Sequence, residues 1–416
     1  MKYDYKLQGG VLTDDPGFLK RYTFVDQATG IRTPYIFPSE DDDYEYEYPY
    51  DLALTLEEDL KVPVLLTQDL MGSPEITLYP EQEEVAQAFI KKPYGILLSA
   101  PGSGKTVIAL SLIKSLNFKT LILVNTTYLL RQWEEAFKDF YSYNVGVIGD
   151  KSFEIKDITV ATFQTMLTKG KNLHEEWSLI IVDECHHISA KTFYTVLRSL
   201  YAPYKIGLTG TLKRKDGLEP IVGYFLGRRV IENEVDNTMK EEIVLVKTGI
   251  KLKGDTFVEC LTNLVESDKL HKLVVAQVNK APDRHQLILC SRVETVSKLQ
   301  ELLPDAICVI GETKSEDRAN LNERVLTNRV IISTLLNEGV NLPNVDTLHL
   351  IHPSNNIPVL TQRVARVTRT IEGKKIPLVF DYLFSSNNNG FSVEQQQKIR
   401  LNWYKSRNRK IYTIKE

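Results

Sequence analysis

An apolar run, Gly95-Ile96-Leu97-Leu98, opens directly into Ser99-Ala100-Pro101-Gly102-Ser103-Gly104-Lys105-Thr106, and Val107 to Leu116 then reads as a helix. A buried strand that feeds a Gly-rich turn and then a helix belongs to a βαβ layer of a phosphate-binding kind. Small residues let backbone N–H groups curl around a polyphosphate, and the helix presents its N-terminus to the negative charge. In that geometry Ala100, Pro101, Gly102, Ser103 and Gly104 line the phosphates. Lys105 reaches the outer ones, and the Thr106 hydroxyl ligates magnesium. Ser99 stands where the common pattern has Gly, while the Gly-Lys-Thr spacing is intact. A Gly-rich turn can also bind nothing, so a phosphate site needs support from elsewhere in the chain.

That support comes from a second hydrophobic strand, Leu179-Ile180-Ile181-Val182, ending in the paired carboxylates Asp183 and Glu184. In phosphate-loop ATPases the strand-end Asp holds Mg2+, often through water, and the adjacent Glu polarises the attacking water. Two solvated acids at a strand end are common in isolation. Behind a phosphate loop they complete a hydrolytic site.

At 416 residues the chain exceeds one ordinary core, and three regions are expected. Residues 1–75 lack βαβ rhythm and carry short extended pieces such as Tyr22–Val25 and Val62–Leu66, which suggests a small strand-rich accessory domain. Residues 76–235 alternate helical stretches with apolar runs at Gly95–Leu98, Thr120–Val124, Ile158–Ala161, Leu179–Val182 and Tyr204–Leu208. Residues 236–416 repeat the rhythm with Gln286–Cys290, Ile307–Ile310, Val330–Ser333, Thr347–Ile351 and Pro377–Phe380. Continuous apolar runs of this length predict parallel strands buried on both faces, hence two α/β domains in tandem. Beyond Ser392 the chain reads as a helix and a basic tail, expected to dock on the second domain rather than form a separate binding arm, with Lys405, Arg407, Arg409 and Lys410 as candidates for added phosphate contacts.

Asp183-Glu184-Cys185-His186 resembles the Asp-Glu-x-His box of superfamily 2 helicases and translocases, and the chain carries other motifs of that family in order. Tyr79-Pro80-Glu81-Gln82 is similar to the element upstream of the phosphate loop, in which Gln82 reads the adenine edge; the family often has Arg where Tyr79 stands. Leu121 to Trp133 resembles motif Ia, Ala161-Thr162-Phe163-Gln164-Thr165 the Thr-x-Gln element, and Leu208-Thr209-Gly210-Thr211 motif III. In the second domain Ser291-Arg292 and Gly311-Glu312-Thr313 resemble motifs IV and IVa, and Ser333-Thr334 through Glu338-Gly339 to Pro343 resembles motif V. Gln362-Arg363-Val364-Ala365-Arg366-Val367-Thr368-Arg369 resembles the Gln-Arg-x-Gly-Arg-x-x-Arg box, with Ala365 for its Gly.

The resemblance implies two tandem RecA-like parallel-sheet domains, with ATP and Mg2+ as cofactors. By residue, it implies Lys105, Asp183, Glu184, Gln362, Arg366 and Arg369 as catalytic. Gln82, Glu338 and Gly339 add nucleotide contacts, Thr106 and Asp183 hold the metal, and His186, Thr209 and Thr211 couple hydrolysis to nucleic acid. Arg366 and Arg369 belong to the second domain and would complete the site when the domains close. Nucleic-acid contacts are expected from Thr126, Thr162, Gln164, Thr165, Arg214, Ser291, Arg292, Gly311 and Thr334. Hydroxyl, amide and guanidinium groups of this kind hold phosphates without reading bases. Each of them could equally be a loop cap.

The stretch Gly207 to Leu218, with its Arg-x-Asp pattern at Arg214 and Asp216, looks like the XPB-related branch of the superfamily. That branch includes phage UvsW-type branch-migration helicases and poxvirus-type transcript-release helicases. Lys213, Arg214 and Lys215 either reach a duplex at the strand-separation point or form a solvated loop. The expected activity is an ATP-dependent DNA helicase or translocase acting on forks and four-way junctions in replication, recombination or repair. An RNA-directed or transcript-release motor, the motor subunit of a restriction-type system and an ATP-gated binding module remain as alternatives.

Charge distribution agrees with an anionic partner. Residues 40–59 hold ten carboxylates and no Lys or Arg, and without those ten the net charge of −3 becomes +7. The segment 398–416 has seven basic residues and one acid. Tyr44, Tyr46, Tyr48 and Tyr50 alternate with Glu45, Glu47 and Pro49, so the acidic strand either packs on the leader's own core or borders the nucleic-acid track. No run of about 18 apolar residues suggests a membrane span, and the first residues lack the apolar core of a signal peptide. The four cysteines are scattered, which fits a reducing cytoplasm, the host's if the chain is phage-encoded. A monomer that meets replication or recombination proteins is expected.

Overall fold

The computed structural model describes residues 64–415 apart from 101, 171–176, 187–189, 201, 213–218, 234–238, 254–255, 312, 314–320, 335–341, 343, 355 and 387–392; before residue 64 it describes six short strands. These are β1 (Asp4–Tyr5), β2 (Val11–Thr13), β3 (Thr23–Val25), β4 (Arg32–Pro34), β5 (Phe37–Pro38) and β6 (Tyr46–Tyr48). They pair antiparallel in the order β1-β2-β6-β5, with β3-β4 as a separate hairpin. The leader is therefore strand-bearing, as its composition suggests. Most of the acidic segment, β6 excepted, lies outside the described residues.

The chain divides into two compact units, Met1–Asp236 and Asn237–Glu416. After helix α1 (Pro80–Lys91), the first unit alternates strands β7 (Gly95–Ser99), β8 (Thr120–Val124), β9 (Gly146–Gly149), β10 (Ser152–Glu154), β11 (Ile158–Thr162), β12 (Leu179–Asp183), β13 (Tyr204–Thr209) and β14 (Val230–Asn233) with helices. These helices are α2 (Lys105–Leu116), α3 (Thr127–Tyr141), α4 (Phe163–Lys169), α5 (Ala190–Arg198) and α6 (Glu219–Leu226). The sheet order is β10-β9-β11-β8-β12-β13-β7-β14, parallel except at β10. Alternate residues of one strand enter opposite cores. Leu121, Leu123, Ile180 and Val182 join the cluster around Trp177, while Ile122, Val124, Leu179 and Ile181 join the one around Trp133 and Phe137. Burial on both faces is why these strands read as unbroken apolar runs.

The second unit contains strands β15 (Glu242–Leu252), β16 (Gln286–Leu289), β17 (Ile307–Val309), β18 (Val330–Ser333), β19 (Thr347–Leu350), β20 (Leu378–Ser386) and β21 (Ile411–Lys415). Its helices are α7 (Phe257–Val265), α8 (Asp268–Asn279), α9 (Val293–Leu302), α10 (Leu321–Asn328), α11 (Ile357–Ala365) and α12 (Val393–Ser406). The order is β17-β18-β16-β19-β20-β15-β21, parallel throughout. Each unit is thus the parallel α/β layer that the RecA-like expectation requires. Among the described residues no helix is long and apolar enough to cross a membrane.

Beyond Ser392 the chain forms the expected helix, docked on the second unit, and then a strand where the sequence reads as a basic tail. After α12 the chain adds strand β21 beside β15. Arg407 and Arg409 pair with the buried Glu241 at 3.1 and 3.0 Å, and Lys410 pairs with Glu242 at 3.3 Å. Of these three cations the Arg409 side chain is buried, while Lys410 stays largely exposed beside its partner. Arg400 donates to both oxygens of buried Asp381, at 2.9 and 2.7 Å, and Tyr404 adds a third bond at 3.1 Å, which staples α12 to β20.

Candidate active site

The phosphate loop is shaped by two glycines and by polar contacts from neighbouring elements. Gly102 and Gly104 have φ of 86° and 89°, the left-handed region that disfavours a side chain. A Cβ on Gly104 would also stand 2.4 Å from Gln82 Nε2. Gln82 is buried, accepting from Tyr79 N–H at 3.0 Å and donating to Ser103 O at 2.9 Å. Ser99, the departure from Gly, is buried with its hydroxyl bonded to that of Ser103, which also bonds Ala100 O at 2.5 Å. Lys105 Nζ donates to Ser99 O at 3.2 Å and lies 3.8 Å from Glu184 Oε1. Thr106 is half-buried in the first turn of α2, and Ala100 and Gly102 are exposed.

The carboxylates stand where β12 ends. Asp183 accepts from Trp133 Nε1–H at 3.0 Å through Oδ2 and from Glu184 N–H at 2.9 Å through Oδ1. Burial, and next the charge of Glu184, push its carboxyl up to about 6. Glu184 itself has φ of 46°, a left-handed backbone that costs a side-chain-bearing residue roughly 1–3 kcal/mol and is kept mostly at functional sites. Its Oε2 lies 3.4 Å from His186 Nδ1, which meets Thr209 Oγ1 at 2.6 Å. Thr209 Oγ1 accepts from Thr211 N–H at 3.2 Å and donates to Thr211 O at 2.7 Å. With its one proton on that carbonyl, Thr209 receives the proton of His186 Nδ1. A continuous polar path therefore runs from Lys105 through Glu184 and His186 to Thr209 and Thr211, bringing together three elements the sequence separates widely.

The nucleic-acid candidates lie just beyond strand C-termini in both units. Thr126 caps α3 through Leu129 N–H at 3.2 Å. Thr162 is buried, caps α4 through Thr165 N–H at 3.3 Å, and bonds the Thr165 hydroxyl at 2.8 Å. Both threonines are helix caps, the plainer of the two roles open to them. Gln164 is exposed in the first turn of α4.

In the second unit Ser291 and half-buried Arg292 connect β16 to α9, and the Ser291 hydroxyl has no hydrogen-bond partner among the described residues. Gly311 is exposed beyond β17, and Thr334 N–H donates to Val309 O at 3.2 Å. Gln362 lies in α11, Arg366 is its C-cap and Arg369 stands three residues on. Burial, and after it the charges of Arg400 and Arg366, push the Arg363 guanidinium down to about 10. Pro101, Arg214, Glu338 and Gly339 lie outside the described residues, as do Glu312, Lys213 and Lys215.

Two contributors are not evident from sequence. Asn233, at the end of β14, pairs opposite Ser99 in the ladder and reaches Ser103 O at 3.5 Å. Trp133 is visible there only as the end of a motif, and its contact with Asp183 depends on β8 and β12 being neighbours.

Comparison with known proteins agrees with this geometry. Residues 75–214 match the family described as the res subunit of type III restriction enzymes, and residues 266–370 match the helicase conserved C-terminal domain. The probable helicase D10 of Escherichia phage T5 is 29% identical over 304 residues, covering 69% of this chain and 67% of that protein. The DNA 3'-5' translocase XPB2 of Sulfurisphaera tokodaii is 32% identical over 174 residues, covering 42% of this chain and 39% of that protein. A Dbp5 variant of S. cerevisiae, solved bound to RNA and ADP BeF3, shares the fold with a TM-score of 0.58 at 13% identity, over 84% of this chain and 96% of that one. With both helicase domains matched in series and relatives in phage and XPB lines, the chain belongs to the superfamily 2 helicases, on their XPB-related branch, a family that uses ATP.

Proposed function

We propose that this helicase is an ATP-dependent DNA translocase that unwinds or branch-migrates forked and four-way DNA. The observation that carries the reading is the position of Glu184. Its carboxylate lies between Lys105 of the phosphate loop and the His186–Thr209 pair, at the strand ends that also bear Thr126, Gln164 and Thr165. In this reading hydrolysis and nucleic-acid contact both draw on groups at the C-terminal ends of the first unit's strands.

In this reading ATP is held by the loop from Ala100 to Thr106, with Gln82 at the adenine edge. The hydroxyl of Thr106 and the carboxylate of Asp183 are hard oxygen donors, and such donors fit Mg2+, which keeps several waters and needs few protein ligands. The metal would withdraw charge from the phosphates. Lys105 leaves the carbonyl of Ser99 for phosphate and Glu184 takes a proton from the attacking water. Arg366 and Arg369 carry the guanidinium groups that the family resemblance assigns to charge on the transferring group. Each base-pair step broken costs about 1.4 kcal/mol of stacking. Branch migration re-forms a pair for each one lost, so a compact motor suits junctions. The similarity to XPB2 of Sulfurisphaera tokodaii, a DNA 3'-5' translocase, supports DNA over RNA as the track.

The test is steady-state ATP turnover by wild type and Lys105→Ala with single-stranded DNA, blunt duplex, fork, four-way junction, RNA or no nucleic acid. Stimulation by forks and junctions that the variant lacks supports the proposal. Stimulation by RNA alone, or by no DNA, overturns the substrate while leaving the ATPase in place.

A further inference from the structure

Asp183 is gripped from a direction the catalytic motifs do not supply. Trp133 lies on the buried face of α3, almost wholly shielded, and gives its indole N–H to Asp183 Oδ2 at 3.0 Å. The other oxygen takes Glu184 N–H at 2.9 Å. One donor on each oxygen fixes the plane of the carboxylate and leaves further lone pairs for a cation or its water. A buried indole usually finds an acceptor, and a backbone carbonyl would satisfy it equally. Here it takes the acid at the metal position instead.

We infer that Trp133 is a positioning residue that holds the Asp183 carboxylate for its metal and ties that metal to helix α3. The inference rests on the proposed ATPase chemistry. The fold makes the reach possible. β8 and β12 are parallel neighbours with Leu123 opposite Val182, so the helix leaving β8 passes over the end of β12. The same helix starts at Thr126, a nucleic-acid candidate, and near its far end Tyr141 donates to Leu110 O of α2, the phosphate-loop helix, at 3.0 Å. One rigid element therefore touches the metal acid, the phosphate-loop helix and the strand-end cap.

The first experiment measures the affinity of the full chain for a fluorescent ATP analogue with Mg2+ and with chelator, in wild type and Trp133→Phe. Phenylalanine keeps most of the ring volume and removes the donor. The expected result is a Mg2+-dependent gain in affinity reduced about tenfold, with chelator-measured affinity unchanged. An unchanged Mg2+ gain, or an equal loss in both conditions, overturns the inference. Wild type that binds the analogue in neither condition overturns the nucleotide reading itself, and this inference with it.

A second measurement needs no variant at Trp133. The chain has three tryptophans, so the Trp133 indole resonance is assigned from Trp177→Phe and Trp403→Phe. It should shift when Mg2+ is titrated into nucleotide-loaded protein, and a stationary resonance overturns the positioning role.

Discussion

Both units are parallel sheets with polar residues buried in them, yet they use those residues differently. In the first unit Ser99, Asp183 and Thr209 are buried at the C-terminal ends of strands, and Ser103 and His186 just beyond them, bonded to one another or to neighbours at the candidate site. In the second unit a group of buried polar residues lies within the body of the fold and is bonded together. His349, inside β19, meets Gln286 Oε1 at 2.9 Å and Tyr382 OH at 3.1 Å, and stacks on Phe380 with ring centroids 4.7 Å apart. Gln286 also donates to Val278 O and Ala281 O, and Asp381 takes Arg400 and Tyr404. Burial and residue type do not separate a reactive group from a structural one. Position along the strand and completeness of partnering do.

The largest expected break in the comparison is Glu184→Gln. If this acid is reactive rather than structural, turnover should fall about 10²–10⁴-fold while nucleotide binding and thermal stability stay near wild type. Turnover within about tenfold of wild type would place Glu184 with the structural polar groups. The counterpart is Arg400→Ala, which leaves Asp381 buried beside Tyr404 alone. Losing one partner of a buried pair costs about 3–5 kcal/mol, so the second unit should lose hydrogen-exchange protection across β20 and β21 while β8 and β12 keep theirs. Equal protection in wild type and variant would show that the pair contributes nothing to the second unit.

pH sharpens the contrast because the two units respond with opposite sign. Burial pushes both His349 and His352 down to about 3. Below the ordinary histidine value of about 6.5 the unfolded chain takes up protons that the folded unit refuses. Stability present above that value is then lost as pH falls, by roughly 1.4 kcal/mol per pH unit for each histidine. Asp183 behaves oppositely, since its folded value, up to about 6, exceeds the unfolded one. Without nucleotide and Mg2+, the first unit should therefore gain stability as pH falls through about 6. Protection factors at pH 7.5 and 5.5 test this unit by unit, and parallel losses in both would refute the assignment.

Legibility from sequence divides along similar lines. Strands buried on both faces, such as Thr120–Val124 and Val330–Ser333, are readable because nearly every residue between their ends is apolar. β15 is harder, since Lys247, Gly249 and Lys251 interrupt its pattern and the register shifts between Lys247 and Lys251. β21 is an edge strand whose exposed Tyr412 and Thr413, set behind a basic stretch, resemble a loose tail. In the site, groups clustered in one motif are legible: the phosphate loop because its glycines bend the backbone, Asp183 and Glu184 because a strand delivers them. Trp133 and Asn233 are not, because their partners lie 50 and 130 residues away and meet only through strand order. Glu241 is hidden for the same reason, as nothing around it in sequence announces Arg407 and Arg409.

The smallest expected effects carry the comparison to single residues. Thr162 and Gln164 are two positions apart, and both are nucleic-acid candidates. Thr162 is a buried cap, so Thr162→Ala should cost about 1 kcal/mol of first-unit stability and leave the salt dependence of DNA binding unchanged. Gln164 is exposed, so Gln164→Ala should stay within about 0.5 kcal/mol in stability and weaken DNA binding by a few fold. Melting curves and DNA titrations of the two variants separate these outcomes. If Thr162→Ala melts like wild type but binds DNA weakly, a buried cap is also a contact, and partnering would no longer tell the two kinds of polar residue apart.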